Sequence, residues 1–359
     1  MRVIVAAAGT GGHIYPALAI IHRIQQMDKS SKILYIGTTD RMEKDIVPAK
    51  GIDYIGIEIQ GLNRKNIFSN VSVLRKFFNA VGKSKQIIRE FKPDIVIGVG
   101  GYITAPVLYA AHKLHIKTMI HEQNSIPGLS NKFLARFVDL ICVSLPGSIS
   151  YFPKNKTVYT GNPRSEEILT IPKISKTKLG FAATKKLVLI VMGCLGSTTM
   201  TQKLKDAICE FKDKDYQVLV ITGKAYYDSY QDINIPSNVV LLPYTEELIQ
   251  IMKDTDLMVS RAGASTISEI TGIGLPSILV PSPYVTHNHQ YLNAKELEDA
   301  GACFILEEKD FTGEALCSSI TSILSDEKKY QAMKKASASF GKKDSLTKIY
   351  HEIKKLVGE

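Results

Sequence analysis

The feature of this 359-residue chain that most constrains its fold is a strand–helix alternation that occurs twice. The first series of apolar runs, each predicting a strand, comprises 2–8, 32–38, 53–59, 94–100 and 117–122. The second series comprises 187–192, 217–222, 239–244, 257–261 and 277–282. Continuous apolar runs are typical of parallel strands that helices cover on both faces. The sequence therefore predicts an α/β protein with two doubly wound, Rossmann-like domains.

A segment rich in proline, glycine and polar residues, 160–180, separates the two series and predicts an interdomain connection. The predicted N-terminal domain is 1–162, and the predicted C-terminal domain is 163–340. The amphipathic end of the chain, about 341–359, is expected to cap one of the two domains and can pack back on the first. Ligands of such sheets bind beyond the carboxyl ends of the strands, so we expect the functional groups there, beside a cleft between the domains.

Composition and charge narrow the class of protein. No run of 18 apolar residues occurs, so no transmembrane helix is expected. The five cysteines are widely spaced and form no C-x-x-C pair, which favours reduced thiols in a cytosolic protein. Residues 1–160 hold 21 of the 45 Lys and Arg residues but only 10 of the 35 Asp and Glu residues. This excess of basic residues indicates an anionic partner. The candidates are a nucleic acid, a phosphorylated substrate and an anionic membrane.

Two glycine loops follow strands of the first domain, at 9–13 (GTGGH) and 98–102 (GVGGY). Glycines let the backbone approach a ligand closely, and a helix that begins there favours an anion. The spacing differs from G-x-G-x-x-G, so a nicotinamide cofactor is disfavoured. His13 either faces the ligand as a base with an ordinary pKa of about 6.5 or caps the helix.

The polar run 121–124 (HEQN) ends the fifth strand. Four consecutive polar side chains are unfavourable in a core and natural at a ligand site. Glu122 is therefore predicted to be an acid–base group, to orient His13, or only to hold the end of the strand.

Three further patterns lie in the second domain. Residues 193–197 (GCLGS) follow its first strand and offer another anion site. Residues 261–266 (RAGAST) turn into a helix that carries Glu269, whose carboxylate either accepts hydrogen bonds from a ribose diol or is an ordinary exposed group. The sequence 288–290 (NHQ), with Asn293 a turn later, suits sugar hydroxyls.

Taken in order, these motifs resemble a known family. The opening segment 8–19 (AGTGGHIYPALA) is similar to that of the MurG family, the peptidoglycan N-acetylglucosaminyltransferases of glycosyltransferase family 28. The segments 98–106, 121–124, 161–164 (GNPR), 261–269 and 288–294 resemble the other signatures of that family. The resemblance spans nearly the whole chain and implies the two-domain GT-B fold.

The resemblance implies inverting transfer of N-acetylglucosamine from UDP-GlcNAc to the C4 hydroxyl of lipid I, the undecaprenyl-pyrophosphoryl-MurNAc-pentapeptide, which gives lipid II. It implies that the donor binds the C-terminal domain, with Glu269 on the ribose, and that His13 is the candidate base with Glu122 as the second catalytic candidate. Together, the motifs and the resemblance give these candidate donor-binding residues: Thr10, Gly11, Gly12, Asn124, Arg164, Gly193, Cys194, Gly196, Ser197, Thr245, Arg261, Gly263, Ala264, Ser265, Thr266, Glu269, His289 and Gln290. The candidate acceptor-binding residues are Gly98, Gly100, Gly101, Tyr102 and His121. Cys194 stands where the family usually has Ser.

The basic segment 62–92 holds eight basic residues against one acidic residue, interleaved with apolar ones. A lipid-linked acceptor favours a membrane-surface patch over a solvated helix with one core face, and no motif for nucleic acid is present. The predicted patch comprises Ile67, Phe68, Leu74, Arg75, Lys76, Phe77, Phe78, Lys83 and Lys85. We therefore expect a peripheral protein on the anionic inner leaflet, at the cytoplasmic face of the cell membrane.

No cofactor is expected, because UDP-GlcNAc is a substrate, and no bound catalytic metal is expected, because neither Asp-x-Asp pair is suited to hold one. The Asp-x-Asp pairs 213–215 and 254–256 precede strands, away from the ligand edge, and are interpreted as solvated turns. Three alternatives to the transferase remain: a related glycolipid enzyme such as a diacylglycerol glucosyltransferase, a UDP-GlcNAc 2-epimerase, and a noncatalytic sugar-nucleotide-binding subunit.

Overall fold

The structure is a computed structural model that describes residues 1–61, 70–192 and 198–358. The chain divides into two compact units: Met1–Arg164 with Asp344–Glu359, and Ser165–Lys343. The boundaries predicted from the sequence, after residues 162 and 340, lie two and three residues before the observed ones. Each unit is an α/β structure on a parallel sheet, so the predicted fold class of two doubly wound domains is confirmed.

The first unit contains a seven-stranded sheet among its described residues, in the order β3-β2-β1-β4-β5-β6-β7. Its elements in chain order are β1 Arg2–Ala7, α1 Gly11–Met27, β2 Lys32–Thr38, α2 Glu43–Ile46, β3 Asp53–Ile57, α3 Asn70–Phe91, β4 Ile95–Gly100, α4 Thr104–Lys113, β5 Lys117–Glu122, α5 Leu129–Leu134, β6 Leu140–Val143 and β7 Thr157–Tyr159. The next helix, α6 Pro163–Glu167, contains the boundary between the two units, which lies after Arg164. The strand order reverses beside β1, which places a crevice at the carboxyl ends of β1 and β4.

The second unit repeats the plan with a six-stranded sheet among its described residues, in the order β10-β9-β8-β11-β12-β13. Its elements are β8 Lys186–Val191, α7 Thr198–Cys209, β9 Tyr216–Ile221, β10 Val239–Leu242, α8 Leu248–Met252, β11 Leu257–Ser260, α9 Ala264–Ile273, β12 Ser277–Leu279, α10 His289–Asp299, β13 Cys303–Ile305, α11 Gly313–Leu324 and α12 Glu327–Phe340. Here the strand order reverses between β8 and β11.

Both faces of each sheet are covered, as the continuous apolar runs predict. In β1, Ile4 and Ala6 pack into one hydrophobic cluster, while Val3 and Val5 pack into another on the opposite face. The last helix, α13 (Ser345–Val357), joins the second of these clusters, because Leu346, Ile349 and Ile353 are buried on the side of α1. The C-terminal helix therefore caps the first unit.

Two more sequence-based expectations can be compared with the structure. Among the described residues, no helix is long and apolar enough to cross a bilayer. Four cysteines, Cys142, Cys209, Cys303 and Cys317, are unbridged thiols, as predicted. Burial raises the pKa of Cys142 well above its ordinary value, which makes this thiol unreactive.

Candidate active site

The two glycine loops of the first unit meet at the carboxyl ends of β1 and β4, which are neighbouring parallel strands. The amide of Ala8 donates to the carbonyl of Gly100 at 3.1 Å. Gly100 and Gly101 have φ values of +116° and +88°, which favour glycine. A Cβ on Gly100 would lie 2.3 Å from His13 Nδ1, and one on Gly101 would lie 2.4 Å from the Ala8 carbonyl oxygen. These glycines are therefore needed for the imidazole to lie against the second loop.

His13 lies in the first turn of α1, directly beyond β1. Thr10 precedes the helix with extended backbone angles, and its carbonyl accepts the His13 amide at 3.0 Å. The side chain of His13 is half-buried, and its Nδ1 lies 3.1 Å from Gln123 Oε1. His13 is thus held between both glycine loops and the end of β5.

His121 is a fully buried imidazole at the end of β5. Its Nε2 lies 3.1 Å from the carbonyl of Gly161, and its Nδ1 lies 3.0 Å from Gln123 Nε2. Burial lowers the pKa of His121 to about 4, although the hydrogen bond to Gly161 opposes this shift. Both ring nitrogens are used inside the unit, so direct contact of His121 with an acceptor does not fit this geometry.

Glu122 is also buried, and it organises the loop that follows β5. One carboxylate oxygen accepts from the amide and the side chain of Asn124, at 3.0 and 3.3 Å. The other accepts from the Gly128 amide at 3.1 Å and from Asn131 Nδ2 at 2.8 Å. Four donors on one carboxylate fit a residue that holds Asn124 in place. They do not fit the general base that the sequence allowed.

The structure identifies a buried carboxylate, Glu43, that sequence reasoning missed. Its Oε2 accepts from the amide of Gly9 at 3.2 Å, and its Oε1 accepts from the amide and hydroxyl of Thr38 at 3.0 and 2.7 Å. Glu43 therefore ties the first glycine loop to the end of β2. No motif marks it, because its partner Gly9 is 34 positions away.

Other predicted residues of the first unit have distinct surroundings. Gly98 lies buried inside β4, where a Cβ would approach Leu108 of α4 at 3.0 Å, so it serves the packing of α4 against the sheet. Tyr102 is exposed beside the second glycine loop, against Gly61. Arg164 lies with its guanidinium 5.6 Å from the centre of the Tyr15 ring.

In the second unit, α9 begins at the carboxyl end of β11. Gly263 precedes it with extended backbone angles, and Ala264, Ser265 and Thr266 form its first turn. The free amides and the dipole of this helix N-terminus favour an anion. The first turn contains no acidic side chain that would repel one. Glu269 lies in the next turn and is half-buried. The arrangement places a carboxylate and an anion site on one helix.

Arg261, a predicted donor contact, is instead part of the scaffold. It is buried, its Nη2 pairs with the Glu308 carboxylate at 2.6 Å, and its Nη1 donates to the carbonyl of Val280 at 3.2 Å. The guanidinium thus fastens the ends of β11 and β12 to the turn at 308. A charge already paired inside the unit does not fit a role as a ligand contact.

The segment that leads into α10 has a strained backbone, with φ values of +55° at His287 and +49° at Asn288. Gln290 Oε1 accepts from the amide of Ser282 at 2.9 Å, and His289 Nδ1 lies 2.8 Å from the carbonyl of Thr286. Such strain persists only where surrounding contacts impose it, and it is typical of functional sites.

The remaining donor candidates are less informative. Thr245 uses its hydroxyl to accept the amide of Glu247 at 3.0 Å. The candidates Gly193, Cys194, Gly196 and Ser197 lie outside the described residues.

The Asp-x-Asp pair at 254–256 is engaged in ion pairs at the amino end of β8. Asp254 pairs with Lys173 at 3.1 Å, and Asp256 pairs with Lys176 and Lys186 at 3.4 and 3.3 Å. These aspartates are therefore structural and not merely solvated. Within the described parts of the chain, no group of three or more His, Cys, Asp or Glu residues is arranged to hold a metal ion.

The basic helix α3 presents an exposed apolar and basic face. The side chains of Leu74 and Phe78 are 56% and 60% exposed, and Arg75 and Lys83 are exposed as well. Lys85 is half-buried. The predicted patch residues Ile67 and Phe68 lie outside the described residues.

Phe77, Lys76 and Lys83 of this patch have partners elsewhere in the first unit, and Lys83 Nζ donates to the carbonyl of Gly56 at 3.4 Å. Phe77 is half-buried: it packs edge-to-face against Phe133 at 6.2 Å and contacts the core, so less of its side chain remains for a membrane than that of Phe78. Lys76 pairs with Glu58 at 2.8 Å.

Comparison with known families agrees with this geometry. The glycosyltransferase family 28 N-terminal domain matches residues 3–143, and the family 28 C-terminal domain matches residues 187–349. The chain belongs to glycosyltransferase family 28. The glycine loops and His13 therefore lie in the N-terminal family domain, and α9 with Glu269 lies in the C-terminal one.

Individual relatives extend over the full chain. A Bacillus cereus protein named UDP-N-acetylglucosamine--N-acetylmuramyl-(pentapeptide) pyrophosphoryl-undecaprenol N-acetylglucosamine transferase 1 is 44% identical over 99% of this chain and 100% of its own. The crystal structure of Acinetobacter baumannii MurG matches with a TM-score of 0.80 and 28% identity, over 99% of both chains. The UDP-GlcNAc 2-epimerase of Neisseria meningitidis matches with a TM-score of 0.69 and 15% identity over 99% of this chain and all of its own, which shows the fold alone.

Proposed function

We propose that this chain transfers N-acetylglucosamine from UDP-GlcNAc to the C4 hydroxyl of the MurNAc in lipid I, with inversion, and so forms lipid II in peptidoglycan synthesis. The observation that carries the proposal is 44% identity over 99% of the chain to a transferase named for this reaction. The placement of His13 against two glycine loops supports it, because the reaction requires a base beside an acceptor site.

Inversion takes place in one displacement. His13 Nε2 takes the proton of the C4 hydroxyl as the oxygen forms its bond to C1 of the sugar. The bond between C1 and the phosphate oxygen breaks, and its electron pair leaves with UDP. A positioned base contributes about 10²–10⁴-fold to such a step.

The second unit binds UDP in this proposal. The first amides of α9 stabilise the negative charge of the diphosphate, and Glu269 accepts hydrogen bonds from the ribose hydroxyls. Gln290 contacts the sugar, and Arg164, which belongs to the first unit, adds a positive charge. In the first unit, Gly11, Gly12 and Asn124 contact the donor sugar, while Gly100, Gly101 and Tyr102 contact the acceptor. Glu122 supports this site indirectly, because its carboxylate holds Asn124.

Product analysis tests the proposed reaction. The purified chain is incubated with UDP-GlcNAc labelled in the sugar and a short-chain lipid I analogue, and we expect one labelled disaccharide lipid per UDP released. Appearance of the C2 epimer of UDP-GlcNAc without acceptor would instead identify an epimerase. Transfer to diacylglycerol would identify a glycolipid glycosyltransferase, and UDP binding without turnover would identify a noncatalytic subunit.

The same assay tests the proposal that no metal takes part. Leaving-group charge is assigned to helix amides and Arg164, so EDTA is expected to leave the rate of transfer unchanged. A rate that EDTA abolishes and Mg²⁺ restores would contradict this assignment.

We further propose that the protein is peripheral at the cytoplasmic face of the membrane and binds anionic lipid through the exposed face of α3. Each Lys or Arg near such a surface contributes about 1 kcal/mol, and the apolar side chains of Leu74 and Phe78 add buried area. A lipid-linked acceptor cannot leave the bilayer, so an enzyme that uses it must work at the surface.

Replacing Arg75 and Lys83 with glutamate is expected to weaken vesicle binding by at least about 2 kcal/mol, or roughly thirtyfold. Leu74→Ser with Phe78→Ser is expected to weaken it as well. The measurement is sedimentation with vesicles that contain phosphatidylglycerol. Lys334→Glu with Lys335→Glu is the matched control, because these lysines are exposed on α12 of the other unit. If both α3 variants sediment like the parent, the membrane surface lies elsewhere.

A further inference from the structure

Gln123 is a buried amide whose orientation is fixed by its neighbours. Its side chain is 1% exposed at the end of β5. Its Nε2 lies 3.0 Å from the carbonyl oxygen of Val99 and 3.1 Å from that of His121. Carbonyl oxygens only accept hydrogen bonds, so the NH₂ group must face them and Oε1 must face His13.

The neighbouring His121 is consistent with the same orientation. Its Nε2 faces the carbonyl of Gly161 and therefore carries the proton. Because burial keeps the pKa of His121 near 4, the ring is neutral at neutral pH and its Nδ1 has a lone pair. That lone pair accepts from Gln123 Nε2 at 3.0 Å. These hydrogen bonds are therefore donated in one direction, away from His13: Gln123 donates to His121, and His121 donates to Gly161.

An amide oxygen can only accept, so His13 Nδ1, 3.1 Å from Gln123 Oε1, must carry a proton. A neutral imidazole has one proton, and its lone pair is then on Nε2. We propose that Gln123 is a positioning residue that holds His13 in the Nδ1–H tautomer, so that Nε2 receives the proton of the acceptor hydroxyl. The role of that lone pair rests on the proposed function, whereas the tautomer does not.

An amide differs from a carboxylate in this position. A carboxylate beside Nδ1 would set the same tautomer, but it would also stabilise the imidazolium and raise its pKa. Gln123 sets the tautomer without adding a charge. The carboxylates of Glu122 and Glu43 accept other donors: Glu122 accepts from Gly128 and Asn131, and Glu43 accepts from Gly9 and Thr38. The ring also lies against the backbone of Gly100.

Nitrogen NMR on the full-length protein tests the tautomer without any assay of activity. Two-bond ¹H–¹⁵N correlation spectra distinguish a protonated Nδ1 from a protonated Nε2, and the His13 signals are those absent from His13→Ala. At a pH where the ring is neutral, we expect Nδ1–H in the parent and a shift towards Nε2–H in Gln123→Met. An Nε2–H tautomer in the parent, or an unchanged tautomer in Gln123→Met, would overturn the proposal.

Kinetics provides the second test. Gln123→Met is expected to lower kcat by about tenfold or more, with the KM for UDP-GlcNAc within about twofold, and to have no further effect in the His13→Ala background. Gln217→Met is the matched control, because Gln217 is also buried and bonds the backbone of Ala182 at the amino end of β9. Additive losses in the double variant would indicate a purely structural role. A parent without transferase activity would refute the proposed function, and the NMR result would still decide the tautomer.

Discussion

Replacing His13 with alanine is expected to lower kcat for sugar transfer by at least about 10²-fold, within the range for a general base. The ring lies against the second glycine loop and is hydrogen-bonded to a buried amide, so it is fixed before substrate binds. UDP is assigned to the second unit, and its Kd should therefore stay within about twofold of the parent, as expected for a group that acts in the transition state. Steady-state kinetics and titration calorimetry measure the two quantities.

The control for this variant is His22→Ala. His22 lies on the same helix, α1, but its side chain is exposed. Its Nε2 lies 3.3 Å from Nε2 of Gln26. It should leave both kcat and UDP affinity unchanged. If His13→Ala retains most of its activity while folded, His13 is not the base. Because Glu122 already accepts four hydrogen bonds, a base would then have to be sought among other residues.

The sheets could be predicted from the sequence because long buried strands produce continuous apolar runs. The predicted strands at 32–38 and 117–122 have these same limits in the structure. The sequence did not reveal β6, β7 and β13, which contain only three or four residues. The equally short β10, β11 and β12 could be predicted because each lies within a longer apolar run, whereas the pattern of β6, β7 and β13 does not distinguish them from loops.

The candidate site could be predicted only in part. Glycine loops at strand ends mark the site locally, so the loops around His13 were found. The partners of His13 depend on long-range contacts: Gln123 is 110 positions away, and the role of Glu43 becomes visible only once β1 and β2 are paired. Phe77 and Phe78 are adjacent in sequence, yet Phe77 is half-buried against Phe133 and the core, whereas Phe78 is exposed.

Two polar residues that were predicted to be functional from their type and position have structural roles instead. Arg261 follows a strand at the edge of the sheet where a ligand is predicted to bind, as a diphosphate contact would. Its guanidinium, however, forms an ion pair with the Glu308 carboxylate. Glu122 looks like a catalytic acid in the sequence and is a loop anchor in the structure. A sequence pattern identifies the edge where chemistry occurs, and the hydrogen bonds decide which polar groups remain for a ligand.

Glu269→Ala is expected to weaken UDP binding by roughly ten- to a hundredfold, because hydrogen bonds to a charged group contribute about 1.5–3 kcal/mol. The carboxylate lies one turn beyond the first amides of α9, so one helix can bind both the ribose and the diphosphate. A ribose hydroxyl that loses its acceptor should affect ground-state and transition-state binding equally. We therefore expect a higher KM for UDP-GlcNAc with kcat nearly unchanged.

Titration calorimetry with UDP measures this effect directly, and thermal unfolding of the same samples checks that α9 remains folded. Glu314→Ala is the control, since Glu314 is an exposed acidic residue in the first turn of another helix of the same unit, α11. Glu269→Gln keeps the shape of the side chain and an accepting oxygen but removes the charge, so its affinity should fall between those of the parent and Glu269→Ala. Unchanged UDP affinity in a folded Glu269→Ala would remove the ribose from this helix and leave only the diphosphate there.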